Sequence, residues 1–536
     1  MKTNRKHIIK TGLLAVLCAY AGLASAATTL VFCSEGSPEG FNPQFFTTGT
    51  TFDASSVPMY NRLVEFVPGT TKIAPGLAES WVVSPDGLTY TFKLRKGVKF
   101  HGNAKFKPSR DFNADDVLFS YNRMADPAHP FNKTSPGQTY AYFEDMGMGK
   151  LVDKLEKVDG MTVRFTLKHP ESPFIANLAM DFSSILSAEY ADKMQAAGTP
   201  EVIDREPIGT GPFQFGSYQK DAIIRYKAFD QYWDGRPKID NLIYSITPDA
   251  SVRYAKLKAG ECHVMAYPKP ADIALMKTDP AIKLLTQEGL NIGYIALNVE
   301  KKPLDNKLVR QALNMAVDKQ SILNSVYQGA GQAAKNPIPP TMWSYNNKVK
   351  DYSFDISKAK DLLAKAGYPN GLEIDLWYLP VSRPYNPDGK RMAELIQSDW
   401  AKIGVKAKLT TYEWGEYKKR SKVGEQQAMM FGWTGDNGDP DNFFGPLLGC
   451  DAVKGGGNVA RWCSKDFEDL IQKAKLTANQ AERTKLYEKA QLIAKDEAPW
   501  ITVAHSVAFT PVRKEVVGFV MEPNAHNNFS KVSLKK

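Results

Sequence analysis

The first twenty-six residues set the conditions under which everything after them must fold. Lys2, Arg5, Lys6 and Lys10 precede an apolar run from Gly12 to Leu23, and Ala24-Ser25-Ala26 follows as a small-residue cleavage site. That is the layout of a secretory leader, so cleavage is expected after Ala26, leaving Ala27 as the new N-terminus. The apolar run is too short to span a bilayer as a helix. Cys18 does not suggest a lipid anchor, because Leu17 stands where a lipoprotein signal needs a small residue. The expected product is exported and soluble.

Export makes the cysteines informative. Of the five, Cys18 lies in the leader, which leaves Cys33, Cys262, Cys450 and Cys463. An even number in an exported chain favours disulfides, with three possible pairings. Metal binding is the weaker reading. No two cysteines have C-x-x-C spacing, and only His263 adjoins one of them. A Cys450–Cys463 bridge would clip the loop Gly455-Gly456-Gly457, a closure worth about 3 kcal/mol in the chain-entropy model. Loss of the leader also lowers the formal net charge from +10 to +6, since 68 Lys and Arg become 64 against 58 Asp and Glu. That small excess, without any Lys/Arg tract, describes a solvated surface, and nucleic acid is not an expected partner. About 510 residues remain, enough for two or three domains.

Periodicity divides the chain. Thr29-Leu30-Val31-Phe32 reads as a strand, followed by a polar stretch holding Thr48-Gly49-Thr50. Leu88–Leu94 alternates with strand period after the turn Pro85-Asp86-Gly87, Asn113 is placed to cap a helix through Val117, Leu118 and Tyr121, and Met161–Leu167 is a further strand. The region from about 61 to 205 is therefore α+β. Pro207–Phe213 is a Gly/Pro-punctuated crossing, followed by strands at Ile223–Tyr226 and Ile239–Ile246 and a helix from Ala250 that ends at Gly260. The C-terminal half alternates strands and helices. Strands are expected at Tyr294–Asn298, Ile374–Leu379, Val405–Leu409, Ala428–Gly432 and Trp500–Val503. Helices are expected at about 306–326, from a Ser357 cap to Gly367, through Leu395, Ile396, Trp400 and Ile403, and at about 465–475 and 478–496.

The seven histidines form neither H-E-x-x-H nor zinc spacing. The chain has no G-x-S-x-G elbow, no Walker A loop, and no G-x-G-x-x-G opening a helix. No catalytic residue or metal ligand is assigned, no cofactor is expected, and the chain is not read as an enzyme. What stands out is Trp433-Thr434-Gly435-Asp436-Asn437-Gly438-Asp439-Pro440-Asp441-Asn442, a turn that crowds carboxylates against a tryptophan at the end of a buried strand. It is not an EF-hand, because Asn442 and Leu448 stand where that loop needs Gly and Glu. Taken alone it is a solvated acidic turn. It would also serve as an anion beside an aromatic wall, holding a ligand's cation.

Several segments resemble the extracellular solute-binding proteins of peptide ABC transporters. They are Ala74–Trp81, Tyr90–His101, Phe112–Val117, Pro207–Phe213, Phe229–Trp233 and Val309–Asp318, and the resemblance covers essentially the whole mature chain. Cys33–Gly40, Arg383-Pro384-Tyr385-Asn386-Pro387 and Trp433–Asn442 are most similar to the dipeptide-binding branch of that family. The resemblance implies an α/β, two-lobed periplasmic binding protein fold (type II, cluster C) with an additional α+β domain. It places one lobe at 28–60, 211–288 and 507–536, the added domain at 61–210, and the other lobe at 289–506. It implies a periplasmic monomer that closes on dipeptides and passes them to an inner-membrane ABC permease complex, with a chemoreceptor as a further candidate partner. Related members bind longer peptides, glutathione, haem or nickel. By the same resemblance Asp436 would hold the ligand's α-ammonium and Arg383 its α-carboxylate. The bridges would be Cys33–Cys262 and Cys450–Cys463. Tyr385, Trp433, Gly435 and the Thr48-Gly49-Thr50 loop are candidate pocket walls, with core or turn as the alternative for each.

Overall fold

Apolar residues at every second position make Thr29–Ser34 a strand, and its neighbours make it central. The computed structural model describes residues 27–535, so the expected leader and its cleavage site lie outside the described residues. Thr29–Ser34 pairs in parallel with Asn241–Ile246 on one side and with Val264–Met265 on the other. Antiparallel strands Ile223–Ala228 and Phe213–Gln219 extend that sheet. A second sheet is built on Asn291–Leu297, which pairs antiparallel with Ala428–Thr434. Leu372–Trp377 lies parallel to both Ala428–Thr434 and Val405–Thr410.

One long strand, Trp500–Arg513, belongs to both sheets. Its first part pairs with Asn291–Leu297, and its second part with Ile282–Glu288 and Val264–Met265. Only the first four residues, Trp500–Val503, read as a strand in the sequence. The rest is extended because three strands distant in sequence, Val264–Met265, Ile282–Glu288 and Gly331–Ala333, pair with it, which local pattern does not encode. Glu288 to Asn291 is the second passage between the sheets, where the Gly289 N–H donates to the Ser506 carbonyl at 3.1 Å.

A separate four-stranded antiparallel sheet, ordered Ala78–Val83, Thr89–Leu94, Thr162–Leu167 and Val152–Asp159, packs with the helix Ala114–Ala125. Its alternation buries Tyr90, Phe92 and Leu94. The helix opens with a full capping box, Asn113 taking the Asp115 N–H while Asp116 takes the N–H of Asn113. Gly260 ends the helix Ala250–Ala259 at φ 76°, a left-handed position that suits glycine.

Two helix expectations need correction. The 306–326 helix is broken after Met315 and resumes at Lys319, running as an α-helix to Ile322 and as a π-helix over Leu323–Tyr327. Asp318 breaks it by capping the second piece, accepting from the Ser321 N–H and hydroxyl. The helix Ile356–Lys365 is capped by Asp355, which accepts the Lys358 N–H at 2.9 Å, so Ser357 sits inside its first turn. No helix of the described residues is long and apolar enough to cross a membrane.

Cys33 and Cys262 are joined, with Cα atoms 5.8 Å apart, within a small apolar cluster of Tyr254, Leu257, Met265, Ile273, Met276 and Ile282. Cys450 and Cys463 are joined with Cα atoms 4.7 Å apart.

Candidate functional site

Two glycines open a space in the second sheet. Gly293 and Gly432 face each other on neighbouring strands. A Cβ at Gly432 would lie 2.0 Å from the Tyr385 ring, and one at Gly293 would lie 2.2 Å from the Tyr385 carbonyl oxygen. The Arg383–Asn386 turn, closed by reciprocal 3.0 Å backbone bonds, beds into that space. The Tyr327 hydroxyl donates to the Tyr385 carbonyl at 2.6 Å, and the Ser506 hydroxyl to that of Pro384 at 2.5 Å. The backbone of Arg383 and Tyr385 is thus fixed by its own turn and by two hydroxyls from neighbouring elements.

Ala428–Thr434 delivers the acidic loop beside them. Asn442 straps that loop, its carbonyl oxygen accepting from Trp433 Nε1 at 3.1 Å and from the Asp436 N–H at 2.8 Å. Gly435 is needed for close approach, since a Cβ there would meet Phe443 and Leu290 at under 3 Å. The loop is buried rather than solvated, and its three carboxylates do different work. Asp439 pairs with Arg483 at 2.8 Å, and Asp441 lies 3.8 Å from Lys475. Asp436 has no cation within ion-pair reach among the described residues and accepts instead from the hydroxyl of Tyr142 and from Asn442 Nδ2. Burial pushes its carboxyl up to about 7, nearby Asp181 adds to the rise, and the Tyr142 and Asn442 bonds oppose it.

Asp436, Arg383, Tyr385, Trp433, Thr48 and Gly49 all line one cavity, with Gly49 exposed at its rim. Two other expected wall residues do not. Gly435 packs behind the loop, and Thr50 donates to Glu35 Oε1 at 2.5 Å. Glu35 is the partner of Arg383, 2.5 Å from its Nη1 and 3% exposed. Burial works most strongly against the Arg383 charge, but Glu35, Tyr385 and Tyr267 together hold the guanidinium pKa above its ordinary value. The guanidinium also lies 4.8 Å from the centroid of the Trp414 ring.

The cavity has further walls that no sequence signal marked: Tyr267, Trp414, Lys418, Phe431 and His526. Tyr142 comes from the 61–210 segment and packs edge-on against Trp433, with centroids 5.9 Å apart. Lys418 sits on the helix Trp414–Lys422, whose run of charges reads as a solvated face, yet it is 7% exposed.

The site is an aromatic slot offering one carboxyl, one guanidinium whose own counter-ion is fixed, and the ammonium of Lys418. That suits a small zwitterion. Residues 72–455 match the model of the bacterial extracellular solute-binding proteins, family 5 Middle. The chain is 60% identical over 532 residues to the dipeptide-binding protein of Escherichia coli (strain K12), with 99% of each chain covered. It is 55% identical over 511 residues to heme-binding protein A of Haemophilus influenzae, covering 95% of this chain and 93% of that one. The solved structure of the dipeptide binding protein from Pseudoalteromonas sp. SM9913, in complex with Met-Leu, is 39% identical. It superposes with a TM-score of 0.92 over 95% of this chain and 100% of that one. The protein therefore belongs to the bacterial extracellular solute-binding proteins of family 5.

Proposed function

We propose that this chain captures dipeptides in the periplasm, closes two lobes over them, and delivers them to an ABC permease of the inner membrane. One observation carries the reading: Asp436 and Arg383 line the same buried cavity, between aromatic walls. A zwitterionic dipeptide carries a cation and an anion about 7 Å apart, two extended residues. Asp436 takes the ammonium, and the Arg383 donors not bound to Glu35 take the carboxylate. Anchoring both termini fixes ligand length and leaves the side chains free to vary. The E. coli and Pseudoalteromonas relatives, named for dipeptide binding, support this assignment. No catalytic step is assigned.

The lobes we propose are 28–60 with 211–288 and 507–536, and 289–506, with 61–210 attached to the first. Their support is the strand Trp500–Arg513 shared by both sheets, and the second passage at Gly289, where the chain crosses back. Ser506 and Asn291, joined by a 2.9 Å bond from the Ser506 N–H to Asn291 Oδ1, are the hinge contacts.

Haem capture in the same cleft is a second reading, favoured by the H. influenzae relative. Native mass spectrometry of protein purified without refolding separates the two. A mixture of dipeptide masses supports peptide capture, and one defined haem mass supports the other reading. Peptide turnover with nothing bound would contradict both.

A further inference from the structure

Arg383 alone leaves the anion end of the site short of positive charge. Its guanidinium is already neutralised by Glu35 at 2.5 Å, and Glu35 is locked in place by the Thr50 hydroxyl. Arg253, buried and coupled to both Glu35 and Arg383, donates only to backbone carbonyls and lines none of the cavity, so the wall beside the Arg383–Glu35 pair offers a ligand carboxylate one further cation. Lys418 carries the missing charge. It lines the same cavity, and its Nζ lies 6.0 Å from the centroid of the Trp414 ring, against which Arg383 also lies. Among the described residues no carboxylate comes within 4.0 Å of it, and Thr47 Oγ1 at 3.0 Å is its one hydrogen-bond partner.

We propose that Lys418 is a second cation for the terminal carboxylate of the ligand. The inference rests on the peptide reading above and adds a residue to it. Glu35 and Arg383 then cancel, and Lys418 and the ligand carboxylate cancel. Burial lowers the Lys418 pKa to about 8, with exposed Glu39 and buried Asp145 opposing and Lys422 and Arg383 adding to the fall. An arriving carboxylate would relieve that penalty. Lys418 also borders a neighbouring cavity walled by Tyr142, Asp145 and Gly455–Gly457, where a ligand's acidic side chain would be its other possible guest.

Calorimetric titration of the full mature protein, of Lys418→Met and of Lys418→Arg distinguishes these roles. The ligands are Ala-Ala, Ala-Ala amide and Glu-Ala. Lys418→Met is expected to weaken Ala-Ala about tenfold or more, and the amide no more than about twofold. Lys418→Arg, which keeps the charge, is expected to stay within about threefold of the unaltered protein for Ala-Ala. Because Lys418→Met removes an unpaired buried charge, the ligand-free variant should melt no lower than the parent. A Tm below the parent's would make Lys418 structural and overturn the proposal, as would equal losses for Ala-Ala and its amide. Ala-Ala affinity within about twofold of the parent would overturn it too, and a loss confined to Glu-Ala would move Lys418 to the side cavity. If the unaltered protein fails to bind Ala-Ala, the peptide reading itself falls, and this inference with it.

Discussion

Arg383 and Glu35 stand 348 positions apart in sequence and meet at 2.5 Å in the fold, both buried. The contact joins the loop after the first strand to the turn bedded on the second sheet. It means that removing Arg383 has two separable consequences. Arg383→Met is expected to weaken dipeptide binding by about 2–5 kcal/mol, because the ligand carboxylate loses its fork. It also strands the Glu35 charge, and breaking a buried pair from one side costs about 3–5 kcal/mol of stability. Adding Glu35→Gln to Arg383→Met should recover much of the stability without recovering binding. Denaturant melts and calorimetry on the single and double variants check this. Restored binding in the double variant would remove Arg383 from the site.

Gly432→Ala tests whether the Gly293/Gly432 gap places the carboxylate end. The new methyl would lie 2.0 Å from the Tyr385 ring, a distance that forces the Arg383–Asn386 turn to move. Overpacking of this kind costs about 1–3 kcal/mol of stability. Dipeptide affinity should fall by about tenfold or more, since the Arg fork depends on its geometry. Calorimetry reads the affinity and thermal melting the stability. Unchanged affinity would mean that the turn is positioned by its loop alone.

Asp436 predicts a pH dependence. Burial holds its carboxyl at about 7, so in the free site it carries a proton below that value. Tyr142, Asn442 and Asp181 surround it, and none supplies a positive charge. A bound ammonium favours the ionised form, so binding below about 7 expels a proton and affinity drops as the pH falls. Between about pH 5.5 and 6.5 the ligand's own termini stay charged, and so does Lys418, whose pKa is about 8. Titration in two buffers of different ionisation enthalpy should detect proton release at the acid end. Asp436→Asn should bind weakly at every pH, with no slope. Equal affinity of the unaltered protein at the two ends would contradict the assignment.

The disulfides offer a test of the export reading. Non-reducing peptide mapping of exported protein should return Cys33–Cys262 and Cys450–Cys463, and free thiols or a Cys33–Cys450 link would contradict it. Replacing Cys450 and Cys463 together should cost about 3 kcal/mol, the closure entropy of a short loop. Denaturant unfolding of the double variant measures that loss.

Much of the fold was legible because local chemistry agrees with it. The alternation at Tyr90, Phe92 and Leu94, the Asn113 cap and the Gly260 terminator each act within a few residues, and each is found where the pattern puts it. The motifs carrying Asp436 and Arg383 were also visible, and the structure brings them to one cavity. What stayed hidden depends on distant partners. Val507–Arg513 is a strand because Ile282–Glu288 pairs with it, while Pro511 in its own sequence argues for a break. Tyr142 and Lys418 carry no motif, and Glu35, though inside the Cys33–Gly40 segment of resemblance, has no role that the segment itself reveals. Glu35 sits in a polar loop, and Lys418 is one base among several on a charged helix. Only the packing of the 61–210 segment against the acidic loop places Tyr142 beside Asp436.

Peptide length tests the two-anchor account most directly. With both ends held, each added residue lengthens the charge separation by about 3.3–3.6 Å, and a fixed carboxyl and a fixed guanidinium cannot both follow. One buried charge is then left without its partner, at a cost of several kcal/mol, which exceeds the usual return from another apolar contact. The measurement is a titration of Ala-Ala, Ala-Ala-Ala, Ala-Phe and acetyl-Ala-Ala, followed by tryptophan fluorescence, to which Trp433 and Trp414 at the cavity wall contribute. The account predicts that Ala-Ala and Ala-Phe bind alike, that Ala-Ala-Ala binds at least about tenfold more weakly, and that the acetylated peptide scarcely binds. Equal affinity for the di- and tripeptide, or tight binding of acetyl-Ala-Ala, would contradict it.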